Sequence, residues 1–114
     1  MGFSLILKII ASIGTILTGF ISLISPRSVT GFTGLTATGQ RGISEIRAVL
    51  GGVFIGLGLA PFLLKQPVTY RVLGIMYLTV AIVRTFSILF DKSFERSNII
   101  NVIIEFLFGI ILVI

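Results

Sequence analysis

Four ionisable side chains stand inside long apolar runs of this chain beyond their first residues, Glu45, Arg47, Arg84 and Glu105, with Lys8 as a fifth that can snorkel. Two carboxylates and two guanidiniums can tie helices together as ion pairs, or can hand a proton or an ion across an apolar layer. Helical spacing brings Asp91 and Asn101 into the same group. Tyr70, Tyr77, Arg84 and Asp91 recur every seven residues, and Asn98, Asn101 and Glu105 follow at intervals of three and four, so each set lies along one helix face. A charge at the centre of a bilayer costs about 2.5 to 3.5 kcal/mol on insertion scales, so such residues either fix helix register or carry function. Cys and His are both absent. Their absence removes thiol nucleophiles, imidazole bases, disulfides and the usual ligands of zinc, copper and haem, and no enzymatic activity is expected.

The elements that must position these groups follow from composition. A 114-residue chain with 55% hydrophobic and 11% charged residues and a mean hydropathy of +1.16 carries more apolar surface than a soluble domain of this size can hide. Crossing a bilayer as a helix takes about 20 apolar residues. The sequence supplies such runs at about 3–25, 44–64, 68–90 and 98–114, with 26–43 as the one substantial loop. These runs predict a single-domain all-α membrane protein, an antiparallel bundle of four transmembrane helices. The first run would be about 34 Å long and is stopped by Pro26 and Arg27. A cleavable signal peptide is the rival for that run, but Lys8 sits behind an apolar stretch and no clean small-x-small site follows. Gly and Thr dominate the loop. Ser44 is the expected N-cap of the second helix and Pro61 is expected to bend its last turn. Lys65-Gln66-Pro67 and the polar stretch 91–96 read as tight connections.

Four crossings place both termini on one side. The net charge of +5 is scattered singly beside the loops, a membrane-flank pattern and not a nucleic-acid stripe. Arg27, Arg41, Lys92 and Arg96 fall on the loop side, against Lys8, Lys65 and Arg71 on the terminal side, a faint lean towards external termini. At 1.5 Å per residue, Arg84 lies about 10 Å below Asp91 and Glu105 about 10 Å below Asn98. An Arg84–Glu105 pair is therefore expected. Glu45 and Arg47 open the second helix on the same side but point about 200° apart, so Glu45 should look to Arg41, Arg84 or the loop.

Small residues are the second signal. Ala48, Gly52, Gly56 and Ala60 are spaced by four on one face of the second helix, and Gly51 and Gly58 mark another. Small faces let backbones approach, so this helix is expected to be central, packing on both sides, with the Ala48–Ala60 ribbon against another helix of the chain. Gly14, Thr18 and Ser22 form a milder version on the first helix. Gly51-Gly52 lacks the preceding strand and following Lys-Ser/Thr of a phosphate-binding loop. Neither haem nor metal is expected. Contact with lipid, quinone or carotenoid would need no ligating motif and stays open.

The stretch Glu45-Ile46-Arg47-Ala48-Val49-Leu50-Gly51-Gly52, followed by Arg84, Ser87 and Asp91 and then by Glu105, resembles the small four-helix bacterial membrane proteins of the domain-of-unknown-function family DUF4345. The resemblance covers nearly the whole chain and implies the architecture and the charged cluster, with no established reaction. Leu50 stands where that family often has Tyr before the glycine pair, and Val83 where Gly often precedes the Arg of the third helix. The expectation for function is a non-enzymatic membrane subunit or scaffold that packs into a homo-oligomer, or with other membrane subunits, through its small-residue faces. The alternative is a small ion- or proton-coupled transporter using the Glu/Arg cluster.

Overall fold

The structure, a computed structural model, describes residues 2–114. Among the described residues it is all-helical, with no strand. Four helices are long and apolar enough to cross a membrane: α1 (Phe3–Ile24), α2 (Gly39–Leu64), α3 (Pro67–Asp91) and α4 (Arg96–Val113). The chain divides into two compact units. One is Ser12–Lys65; the other joins Gln66–Ile114 to the start of α1, as far as Ala11.

In the Ser12–Lys65 unit, α1 runs antiparallel to α2. A Cβ added at Gly58 would lie 3.0 Å from the Ser12 carbonyl oxygen and 3.1 Å from the Ile16 nitrogen, and one added at Gly19 would lie 2.8 Å from the Gly51 carbonyl oxygen. Backbones this close leave no room for side chains between them. Two hydroxyls on α1 turn back on their own helix, Thr18 donating to the Gly14 carbonyl at 2.9 Å and Ser22 to the Thr18 carbonyl at 3.1 Å. Those two hydroxyls are satisfied without help from a neighbour, whereas the buried Ser12 hydroxyl, at the Gly58 contact, has no hydrogen-bond partner among the described residues.

Between α1 and α2 the expected loop is more ordered than its composition suggests. A 3₁₀ turn (Pro26–Val29) runs into one helical turn (Thr30–Thr33), and Val29 is fully buried. Gly34 closes that turn in the left-handed region at φ 76°, donating to the Thr30 carbonyl at 2.9 Å. The second helix then begins at Gly39, five residues before the expected Ser44. Nothing between Gly39 and Ser44 breaks a helix, and the Arg41–Glu45 pair at i,i+4 supports the added turn. Hydropathy marked the apolar span and not the helix that carries it. Within α2, residues Ile46–Val53 form a π-helical segment, whose wider i→i+5 turn departs from the 3.6-residue spacing assumed from sequence.

In the other unit α3 and α4 form an antiparallel pair. Pro67 takes the first position of α3, where its missing N–H costs nothing. The seam of α3 runs through Gly74, Tyr77, Ala81 and Ile88, all buried. Gly74 faces Gly109, Leu112 and Val113, and Tyr77 meets Phe108 edge to face at 5.5 Å. Both α2 and α3 end on a lysine in the left-handed conformation, Lys65 at φ 54° and Lys92 at φ 55°, the C-cap geometry usually given to glycine.

Candidate functional site

The α3–α4 seam turns polar towards its connecting turn. Arg84 continues the spacing of Gly74, Tyr77 and Ala81, so the packing of α3 on α4 aims its side chain at the partner helix. There its Nε donates to Glu105 Oε1 at 2.8 Å and its Nη2 to Glu105 Oε2 at 2.9 Å, a bidentate fork. The third arm, Nη1, donates to Asn98 Oδ1 at 3.0 Å. Glu105 and Asn98 are seven residues apart on α4, two turns on one face, and a single guanidinium spans them.

Asn98 extends the network into the turn. Its Nδ2 donates to the Ser93 carbonyl at 3.1 Å and to Ser93 Oγ at 3.0 Å, and the Ser93 hydroxyl donates in turn to Glu95. Glu95 is also the N-cap residue of α4, its carbonyl accepting from the Asn98 and Ile99 amides at 3.0 and 3.1 Å. The Ser93 hydrogen bond, followed by a backbone hydrogen bond, holds the exposed Glu95 carboxyl below the usual glutamate range. The Arg84–Glu105 pair is thus tied through three further side chains, Asn98, Ser93 and Glu95, to the end of the hairpin.

Side-chain exposure separates this pair from the other ion pair. Arg84 and Glu105 are 28% and 13% exposed. Arg41 and Glu45, joined at 2.9 Å along α2, are 86% and 55% exposed. Surface pairs of the second kind contribute about 0 to 1 kcal/mol. Breaking a largely desolvated pair leaves an uncompensated charge and costs about 3 to 5 kcal/mol when burial is complete.

Asp91 is exposed and accepts from Ser87 at 2.7 Å, so its partner is on its own helix. Asn101 is half-buried on α4, between Asn98 and Glu105. Glu45 and Arg47 belong to the Ser12–Lys65 unit. Arg47 is exposed. Ser93 and Glu95 were missing from the residues singled out by sequence. Their signal was a Ser-x-Glu immediately before the helix that carries Asn98.

The two small-residue faces of α2 are used unequally within the Ser12–Lys65 unit. Gly51 and Gly58 are the glycines of α2 that meet α1. Ala48, Gly52 and Gly56 are exposed and Ala60 is half-buried; a Cβ added at Gly56 would meet nothing within 4 Å, and one at Gly52 only the carbonyl of Arg47 on its own helix. Within the Ser12–Lys65 unit, α1 therefore takes the Gly51–Gly58 face and not this ribbon. Spacing by four identifies a face but does not say which of two small faces a neighbour takes.

The same unit holds a cleft of about 300 Å³ between residues 35–37 and the start of α2, with Glu45 in its lining. No group of three or more His, Cys, Asp or Glu that could hold a metal ion occurs among the described residues. The chain belongs to the family described as a domain of unknown function, DUF4345, whose model matches residues 3–114. No curated protein and no solved structure matches it.

Proposed function

We propose that this DUF4345 member is a multi-pass integral membrane subunit or scaffold without enzymatic activity, which assembles with a second copy of itself in the bilayer. The observation that carries the reading is the division of small residues on α2. Gly51 and Gly58 are occupied by α1, while Ala48, Gly52 and Gly56 remain bare. In lipid, helices associate through close backbone packing more than through a hydrophobic drive, and a small-residue ribbon is complementary to a copy of itself. Large apolar side chains exposed on all four helices, among them Ile13, Val53, Ile82 and Ile103, suit a lipid surround. On this reading both termini share one side, and the basic residues lean towards cytoplasmic loops.

The natural absence of cysteine makes the test clean. Gly56→Cys, oxidised in native membranes, should give a disulfide-linked dimer, and Ile82→Cys on the exposed face of α3 should not. A protein that stays monomeric in mild detergent and uncrosslinked in membranes would overturn the assembly.

A carrier reading rests on the half-buried Arg84–Glu105 pair. Both Glu105 oxygens are held by one guanidinium, an arrangement better suited to fixing two helices than to releasing a cargo. Proton or cation flux in proteoliposomes that vanishes in Glu105→Gln would reverse that preference.

A further inference from the structure

Ser93 is the joint between α3 and α4. Its amide donates to the Ile88 carbonyl at 3.1 Å, near the end of α3, and both its carbonyl and its hydroxyl accept from Asn98 on α4. Lys92, left-handed at φ 55°, directs the chain out of α3 immediately before it.

Chemistry fixes the direction of each hydrogen bond that leads from this joint to the interior. A guanidinium can only donate and a carbonyl can only accept, so Asn98 must turn its amide oxygen towards Arg84 and its amide nitrogen towards Ser93. The amide cannot flip without setting like against like. Because the Ser93 hydroxyl accepts from Asn98, its proton is left for another group, and it goes to the Glu95 carboxylate, which when ionised can only accept. Donation therefore runs one way, from Arg84 to Asn98 to Ser93 to Glu95, a cation at one end and an anion at the other. Hydrogen bonds aligned head to tail polarise and strengthen one another. Arg84 thus has two counter-charges, Glu105 by direct contact and Glu95 through two neutral side chains.

The other carboxylate of the turn is not on this chain. Asp91 is exposed like Glu95, but among the described residues its hydrogen-bond partner is Ser87, on its own helix. Two groups of equal charge flank one turn, and they differ in whether they connect to Arg84.

We propose that Glu95 is the surface end of a latch: through Ser93 and Asn98 it holds the third arm of Arg84, so that withdrawing this carboxylate at the surface loosens the ion pair between α3 and α4. Ser93 and Glu95 are positioning residues for Arg84, acting on it through Asn98. The proposal rests on the geometry of the hairpin and not on self-assembly.

The test reads the guanidinium itself. In nitrogen-resolved NMR spectra of the full chain in detergent, the Arg84 side-chain protons are identified as the signals lost in Arg84→Lys, and their exchange with solvent is measured. Ser93→Ala should speed that exchange about two- to tenfold, the weight of one ordinary hydrogen bond. Glu95→Gln should act in the same direction by a smaller factor, because the Ser93 carbonyl still holds Asn98. Asp91→Asn, which removes the same charge from the same turn, should leave the rate unchanged. Glu95→Gln is conservative and exposed, and it carries the test if Ser93→Ala fails to fold. An unchanged rate in Glu95→Gln would overturn the latch, because the turn would then send nothing to the interior. Equal acceleration by Glu95→Gln and Asp91→Asn would overturn it as well, since a general loss of surface charge would explain both.

Discussion

The α3–α4 pair and the α1–α2 pair are built from equally apolar sequence and both run antiparallel, yet they are joined by different means. Between α3 and α4 a glycine contact, an edge-to-face aromatic pair and a bidentate ion pair follow one another along the seam. Between α1 and α2 the contact is close backbone against backbone, and the charged residues sit at the rim, where Arg41 and Glu45 pair along a single helix. The difference shows that a charge in an apolar segment has no fixed meaning. Across a helix pair it sets register, because no other alignment satisfies both partners. Along one helix it stabilises a turn and places no constraint of its own on the neighbour's register.

The largest effects should come from the interior pair. Arg84→Met and Glu105→Gln are each expected to lower stability in detergent by about 3 kcal/mol, because the remaining partner is left unpaired in a mostly apolar seam. The double variant should recover part of that loss, with a coupling of about 0.5 to 3 kcal/mol in a double-mutant cycle. Strict additivity would remove the contrast between the two helix pairs.

Glycine substitutions sharpen the comparison from the other side. Gly58→Leu must push α1 and α2 apart, since the Ser12 carbonyl oxygen and the Ile16 nitrogen lie only 3.0 and 3.1 Å from where its Cβ would go, and should cost about 1 to 3 kcal/mol. Gly56→Leu should change the melting of the monomer by no more than about 0.5 kcal/mol while weakening self-association. If the two variants exchange phenotypes in thermal melts, the assignment of packed and bare faces is inverted.

The two lysine C-caps offer a gain in place of a loss. Lys92→Gly removes the left-handed penalty of a side chain at φ 55°, partly offset by the added freedom of glycine in the unfolded chain, for a net increase of up to about 1 kcal/mol. A decrease would mean that the Lys92 side chain has a role of its own.

The smallest effects belong to the surface carboxylates. Glu45→Gln should cost about 0.5 kcal/mol or less and lose even that at high salt. Glu95 has its carboxyl held below the ordinary glutamate range by Ser93. A lowered folded-state value means that its contribution is present above the unfolded glutamate pKa and is lost as pH falls through the folded one. Melting temperatures followed from neutral to acid pH should decline less steeply in Glu95→Gln than in the parent. Identical acid limbs would show that the turn does not depend on this charge.

Much of the α3–α4 site was legible from spacing. The connecting turn is short, so counting residues back from it gives depth on both helices, and Arg84 and Glu105 come out level. Helical rise is a local constant and needs no tertiary information. Asn98 lay on the polar stripe already visible on α4. Ser93 and Glu95 escaped notice because the conformation of a turn, with Lys92 in the left-handed region, decides which way their side chains point. The early start of α2 escaped because its first residues are polar, and hydropathy is silent about helices outside apolar spans.

The sequence by itself determined four apolar helical runs, the short turns that make α3 and α4 antiparallel neighbours, and the heights of the charged residues along them. All of these depend on distances along one chain. Which of the two small faces of α2 receives α1 was decided by the tertiary structure alone; that Glu45 is held by Arg41, one of its expected partners, followed from the early start of α2, which puts the two at i,i+4 on one helix. Helix spacing defines faces only relative to one another. The choice among them rests on the fit of Gly58 against Ser12 and Ile16, and of Gly51 against Gly19 and Leu23, and the π-helical turn of Ile46–Val53 alters the phase on which any such fit depends.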